Sequence, residues 1–317
     1  MSVVDNYILD IDSGDRNTNV FPNVNNFEIE LENEIYEVSK LTLVSGKIIT
    51  PQTTICSTNK TFDIDNFTVT LDEKNYTNGN ALANDLQAIL NGNTSVSNVL
   101  YESNTASLVF TGSSDFTFKF HTGNNGYSIN NDLTTPHEVF GFSATDVSST
   151  GGVLRSGAIN LDGPNALVLK LTCGSDVYTK DIFYSNPYYT GKIQLASREQ
   201  TRYIGQDDLV EYNFNSGVEK TLQNLRLEFF YSSAGKLIPY DFRNSNYTLK
   251  FKIKCSKDRF KTLPKITRDV SLPPPISMSE FDDVDRWEKY KVYIAISVIA
   301  IMGIFTLYIA RPRKLIE

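Results

Sequence analysis

Phe27-Glu-Ile-Glu-Leu31 alternates apolar and acidic residues without a break. A period of two puts Phe27, Ile29 and Leu31 on one face of a strand and Glu28 and Glu30 on the other, the mark of an antiparallel sheet with one wet face. The same pattern extends outward on both sides. Residues 6–11 alternate and run into the turn cluster Asp12-Ser-Gly-Asp-Arg16, followed by Phe21-Pro-Asn23. Residues 38–49 read as a strand pair, or as one strand bulged at Gly46. Further strands are expected at 167–173, 182–184, 192–196, 209–214, 225–231 and 247–254, separated by Gly, Asn, Asp and Pro turns. Early and late strands are each too few to close a sandwich, so they are expected to pair with one another.

Between Phe67 and Phe142 the pattern changes. Phe67-Thr-Val-Thr-Leu71 is a strand, and Ala81-Leu-Ala-Asn-Asp-Leu-Gln-Ala-Ile-Leu90 places Leu82, Leu86, Ile89 and Leu90 on one helical face, stopped by Asn91-Gly92. Short strands at 99–102, 107–110 and 116–120 and a helical turn over 135–142 complete a small α+β unit. Residues 143–157, rich in Ser, Thr and Gly, are expected to be a loop. The fold class is therefore mainly β: an antiparallel jelly-roll β-sandwich with an inserted small α+β unit, plus one C-terminal transmembrane helix. The expected division is 1–66 with 158–255 for the sandwich and 67–157 for the insertion. A Pro-containing acidic linker at 256–289, a transmembrane helix at 290–311 and a short basic tail at 312–317 follow.

The helix is expected because the nineteen residues Val292 to Ala310 carry no charge and lie between Lys291 and Arg311. That length crosses a bilayer's hydrocarbon core. Trp287, Tyr290 and Tyr308 fall where amphipathic rings favour the headgroup region, and Ile301 lies near mid-span. Pro273, Pro274 and Pro275 favour a semi-rigid polyproline spacer between body and bilayer. Residues 1–10 have neither a basic stretch nor an apolar core, so a tail anchor with a cytosolic body is expected.

Over 317 residues the net charge is −7, which argues against nucleic acid as a partner. Cys56, Cys173 and Cys255 are isolated and odd in number, which fits reduced thiols, and the Asn-X-Ser/Thr triplets at Asn59, Asn66, Asn75, Asn93 and Asn246 are expected to stay bare. Asp10, Asp12, Gly14 and Asp15 fail as a calcium loop because the glycine is misplaced and Phe21 stands where Glu is needed. His121 and His137 have neither metal spacing nor a nucleophile signature beside them, and no phosphate-binding, dinucleotide or hydrolase motif occurs. The expectation is a non-enzyme with no cofactor, no metal and no small-molecule substrate.

Several stretches, in this order, resemble one family. They are Ile11-Asp-Ser-Gly-Asp-Arg-Asn17 with Phe21-Pro-Asn23 and Phe27; residues 41–51; and Asn75-Tyr-Thr77 leading to Leu82, Ala83 and Leu86. Val139-Phe-Gly-Phe142, Asn160-Leu-Asp-Gly-Pro164, and Leu225-Arg-Leu-Glu228 onward to Gly235, Lys236 and Tyr247 continue the series. Together they resemble the minor capsid and penton-like jelly-roll proteins of nucleocytoplasmic large DNA viruses. Gly14 stands where such proteins often show Arg, and a membrane anchor is not general among them. The resemblance implies a virion structural role, a minor capsid protein linking the icosahedral shell to the internal viral membrane. Its implied partners are major and other minor capsid proteins and the membrane lipids; its implied location is the virion capsid and internal membrane. A cellular tail-anchored adaptor or lectin-like binding module is the alternative.

Overall fold

The computed structural model describes residues 3–183, 186–195, 199–206, 208–214, 220–257 and 283–310. They fall in two compact units, Met1–Arg259 and Phe260–Glu317. The first unit opens with β1 (Val3–Asp12), β2 (Asn26–Ile35) and β3 (Val38–Ile49). There follow β4 (Thr61–Ile64), β5 (Phe67–Thr70), α1 (Gly79–Leu90), β6 (Val96–Glu102), β7 (Ser107–Gly112) and β8 (Thr117–Lys119). Next come α2 (His137–Phe140), β9 (Val147–Ser148), β10 (Val153–Ala158), β11 (Ala166–Cys173), β12 (Asp176–Val177), β13 (Asp181–Phe183) and β14 (Asn186–Tyr189). The unit ends with β15 (Gly191–Gln194), β16 (Gln200–Tyr203), β17 (Glu211–Asn213), β18 (Leu222–Ser233), β19 (Lys236–Pro239) and β20 (Thr248–Lys257). In the second unit α3 (Asp283–Ile309) is the described element.

Two antiparallel sheets enclose the larger core. One runs β1-β20-β3-β16, with β17 also on β3; the other joins β2 to β18, β18 to β11 and β11 to β15, with β19 and β12 continuing its edges. Counted along the chain without β4–β10 and the accessory strands β12–β14, β17 and β19, these strands place first, eighth, third and sixth in one sheet and second, seventh, fourth and fifth in the other. That interleaving of two Greek keys is a jelly roll. Early and late strands share both sheets: Leu9 lies opposite Phe251, Ile253 opposite Leu41, and Phe27 opposite Leu227. Alternation then sends Leu41, Leu43, Leu167, Leu169, Leu227, Phe229, Phe251 and Ile253 inward, where they are buried. Each such side chain contributes about 1.5–3 kcal/mol by leaving water. Phe229 meets Tyr247 edge-on at 4.9 Å and Phe242 at 5.5 Å, fastening the loop before β20 to the core.

A second core, from Ile55 to Leu154, lies between the third and fourth sandwich strands in sequence. Helix α1 covers it with Leu82, Ala83, Leu86 and Leu90; Asn78 caps the helix by accepting the amide of Ala81 at 2.9 Å. Beneath, the sheets β10-β7-β6 and β5-β4-β8-β9 bring Phe62, Phe110, Phe116, Phe118 and Phe120 together, with Phe110 edge-on to Phe118 at 4.8 Å.

Three local expectations are corrected. β3 bulges at Val44 and at Ser39 and not at Gly46: Lys250 pairs Ser45 while Phe251 pairs Leu43, so Val44 is skipped and turns outward, and Lys254 pairs Lys40 while Cys255 pairs Val38, which skips Ser39. Gly46 serves a close approach instead, since a Cβ there would lie 2.7 Å from Leu249. Residues 143–157 are not all loop, because β9 and β10 fall there. β10 is held by β7 and by Ser156, whose hydroxyl accepts the amide of Leu108 at 2.9 Å. Strands β4 and β16 also form where no strand is expected.

Candidate interaction surfaces

The first-unit loops carry the motif residues. Ser13 is buried and exchanges bonds with Tyr247: its amide donates to the Tyr247 carbonyl at 3.0 Å and its hydroxyl accepts the Tyr247 amide at 2.8 Å. Arg16 spreads its planar fork over three carbonyls, Nε to Phe21 at 3.1 Å, Nη1 to Ser13 at 2.9 Å and Nη2 to Pro22 at 3.2 Å. These contacts shape the crossing from β1 to β2.

The β18–β19 hairpin is gripped by the loop that leads to α2. Lys236 Nζ donates to the carbonyls of Tyr127, Asn130 and Leu133 and lies 4.2 Å from the centre of the Tyr127 ring. Tyr127 returns its hydroxyl to the carbonyls of Ser233 and Ala234, and Glu138 accepts the amide of Ala234 at 2.9 Å. Thr58 and Tyr231 share a 2.8 Å hydroxyl contact nearby. Jelly roll and second core are thus joined by charged and polar bonds at a junction where partial burial pushes Lys236 down and Glu138 up.

His137 lies inside this junction, 0% exposed. Its Nδ1 meets the Thr135 hydroxyl at 2.9 Å, while Nε2 has no hydrogen-bond partner and sits 3.8 Å from a Glu138 oxygen. Burial lowers its pKa to about 4, so the ring is neutral at pH 7. His121 is exposed. Among the described residues no three His, Cys, Asp or Glu side chains converge as metal ligands, and the three cysteines are free thiols. Asn59 is buried with both ends of its amide bonded, to the Cys56 amide and the Thr54 carbonyl, which leaves no room for a glycan there.

Helix α3 contains a 22-residue candidate span, Glu288–Ile309, whose apolar 18-residue window has a mean hydropathy of 2.4. At 1.5 Å per residue it is about 33 Å long, enough by length and composition to cross a membrane. Tyr290, Lys291, Val292, Ile301, Tyr308 and Ala310 are all exposed along it. Its hydroxyls bond within the helix: Ser297 donates to the Tyr293 carbonyl at 2.8 Å, and Thr306 to those of Met302 and Gly303. An apolar surrounding would therefore leave them satisfied. Trp287 belongs to the helix without a described side chain; Pro273, Pro274, Pro275, Arg311 and the tail 312–317 lie outside the described residues.

No protein-family model matches the sequence, and no curated protein does. Among solved structures, the chain is similar to the mavirus penton protein, with 10% identity and a TM-score of 0.32 over 81% of this chain and 100% of that one. It is also similar to a chain in the structure of the Sputnik virophage, with 11% identity and a TM-score of 0.34 over 79% and 97% of the two. Both are viral.

Proposed function

We propose that the chain is a non-enzymatic virion structural protein, a minor capsid protein whose jelly roll packs with major and other minor capsid proteins. Its C-terminal helix would sit in the membrane inside the shell, with the stretch between β20 and the apolar part of α3 as the spacer and the inner-membrane lipids as its second partner. The observation that carries this reading is the presence, in one chain, of an eight-position jelly roll and a helix whose apolar stretch is long enough to cross a membrane. Jelly rolls recur in viral shells, lectins and cupins. The family-like stretches support the shell use because they fall at joints of the fold: Ser13 and Arg16 at the first crossing, Lys236 at the hairpin. The division into a discontinuous sandwich and an insertion belongs to the same proposal.

Proteomics and fractionation of purified particles test it. The protein should be present in the particles and, once the outer shell is dissociated, should float with the membrane fraction. Its absence from particles would end the capsid reading; recovery only with soluble shell proteins would end the membrane link.

A further inference from the structure

On β20 the residues Leu249, Phe251, Ile253 and Cys255 are buried, so Lys250, Lys252 and Lys254 stand on the outer face of the sheet. Lys40 and Lys47 of β3 and Arg202 of β16 share that face. Lys254 lies directly opposite Lys40, and Lys47 opposite Arg202, which places like charges across from each other at a cost to the isolated sheet. Asp10 answers Lys250 at 3.3 Å and Glu211 answers Lys40 at 2.5 Å. Among the described residues Lys47, Lys252, Lys254 and Arg202 have no carboxylate partner. Asp12 and Asp15 line one groove with Lys47, Lys250 and Arg202, so in a protein of net charge −7 the bare cations of this face are Lys252 and Lys254.

The other sheet ends in β2, which pairs only β18 among the described strands. Phe27 points into the core, which sends Glu28, Glu30, Glu32 and Glu34 outward along the strand. Asn224 donates to Glu28 at 2.5 Å and the Tyr36 hydroxyl to Glu34 at 2.7 Å, whereas Glu30 and Glu32 have no partner among the described residues. Of the cations on the neighbouring strands, Arg226 stands opposite Glu28 and bonds Asn26, and Lys170 pairs with Glu228, so Glu30 and Glu32 are the unanswered carboxylates. The lysines of β20 and the pair Glu28 and Glu30 repeat every second residue, about 6.6–6.8 Å along a strand, while the register of β2 breaks between Glu30 and Ile35 and carries Glu32 and Glu34 on an exposed bulge.

The two rows cannot meet within one molecule, because they lie on the outer faces of different sheets with the core between them. We infer that the lysine face of one copy receives the β2 glutamates of a second copy of this chain. The contact joins unlike surfaces, so each pair retains one free face of each kind, and assembly proceeds to a ring or an open chain rather than stopping at a dimer. This goes beyond the shell reading and does not depend on it. Its steering is long-range and weakens with salt.

The test uses the full chain in detergent micelles, with mass read by sedimentation velocity at about 50 mM and about 500 mM salt. Wild type should associate at low salt and dissociate at high salt. Lys252→Glu with Lys254→Glu, or Glu30→Lys with Glu32→Lys, should each weaken self-association by about tenfold or more. Both pairs are exposed, and circular dichroism checks that the fold persists. Mixing the two double variants should restore association, because each now offers the face the other lacks. A monomeric wild type at low salt, reversals without effect, or mixed variants that stay apart would each overturn the inference. So would a monomeric wild type that bound phosphatidylserine vesicles through Lys252 and Lys254, since the face would then belong to lipid.

Discussion

His137 shows how one buried side chain sets a pH response. Its ordinary pKa is 6.5 and burial holds it at about 4, so on acidification the unfolded chain takes up the proton first. The stability it contributes is whole above about pH 6.5 and is lost as pH falls towards 4, by about 3 kcal/mol. Glu138, raised by burial, works with the opposite sign, because the cost of its buried charge disappears on protonation. Denaturant melts at stepped pH should therefore show wild type losing more stability between pH 7 and 4 than His137→Gln; parallel curves would refute this. Arg16 is a second single-residue case. Arg16→Lys keeps the charge but cannot span three carbonyls, and should cost about 2 kcal/mol in a thermal melt. An unchanged melting temperature would show the fork to be idle.

Among the elements, α2 depends on its terminal glycine. Gly141 has φ +80°, and a Cβ there would lie 2.6 Å from the carbonyl oxygens of Gly157 and Ala158 at the end of β10. Gly141→Ala should cost more than about 2 kcal/mol and loosen α2 from β10, which amide exchange at Phe142 and Gly157 would report. If those amides stayed protected, the close approach would have no energetic weight. The elements legible in the sequence are those whose own pattern decides them: β2 and β3 by alternation, β11 by its apolar run, α1 by Leu82, Leu86 and Leu90 on one face. Those that escaped are set by partners. β10 has one buried apolar residue, Leu154, and exists because β7 lies beside it; β16 is four residues pinned to β3. The glutamates of the charged strand are plain in the first stretch that alternates, but only strand order shows that the lysines of β20 line the opposite sheet.

At the scale of the whole molecule, attachment is the property to test. Ile301→Asp puts a charge near the middle of the span, at about 3 kcal/mol on insertion scales, and should release much of the protein from liposomes in flotation. Deleting residues 272–317 should release all of it. A truncated chain that floated as well as the full one would transfer attachment to the body. The apolar run was legible because a bilayer's thickness demands a length that few other structures need. Its partners in a shell were not, since surfaces recognise one another through strand order and charge placement that no single stretch displays.

The pairing of β1 with β20 fixes an order of events during synthesis. Every residue of β1 is matched, from Val3 with Lys257 to Asp12 with Thr248. Strand β1 therefore waits for one made some 240 residues later, on the order of tens of seconds at typical elongation rates. The second core, drawn from Ile55 to Leu154, needs only nearby segments and can condense first. Until β20 is complete, nascent β1 and β3 are open edges, the form of chain that chaperones hold and that pairs wrongly when they do not.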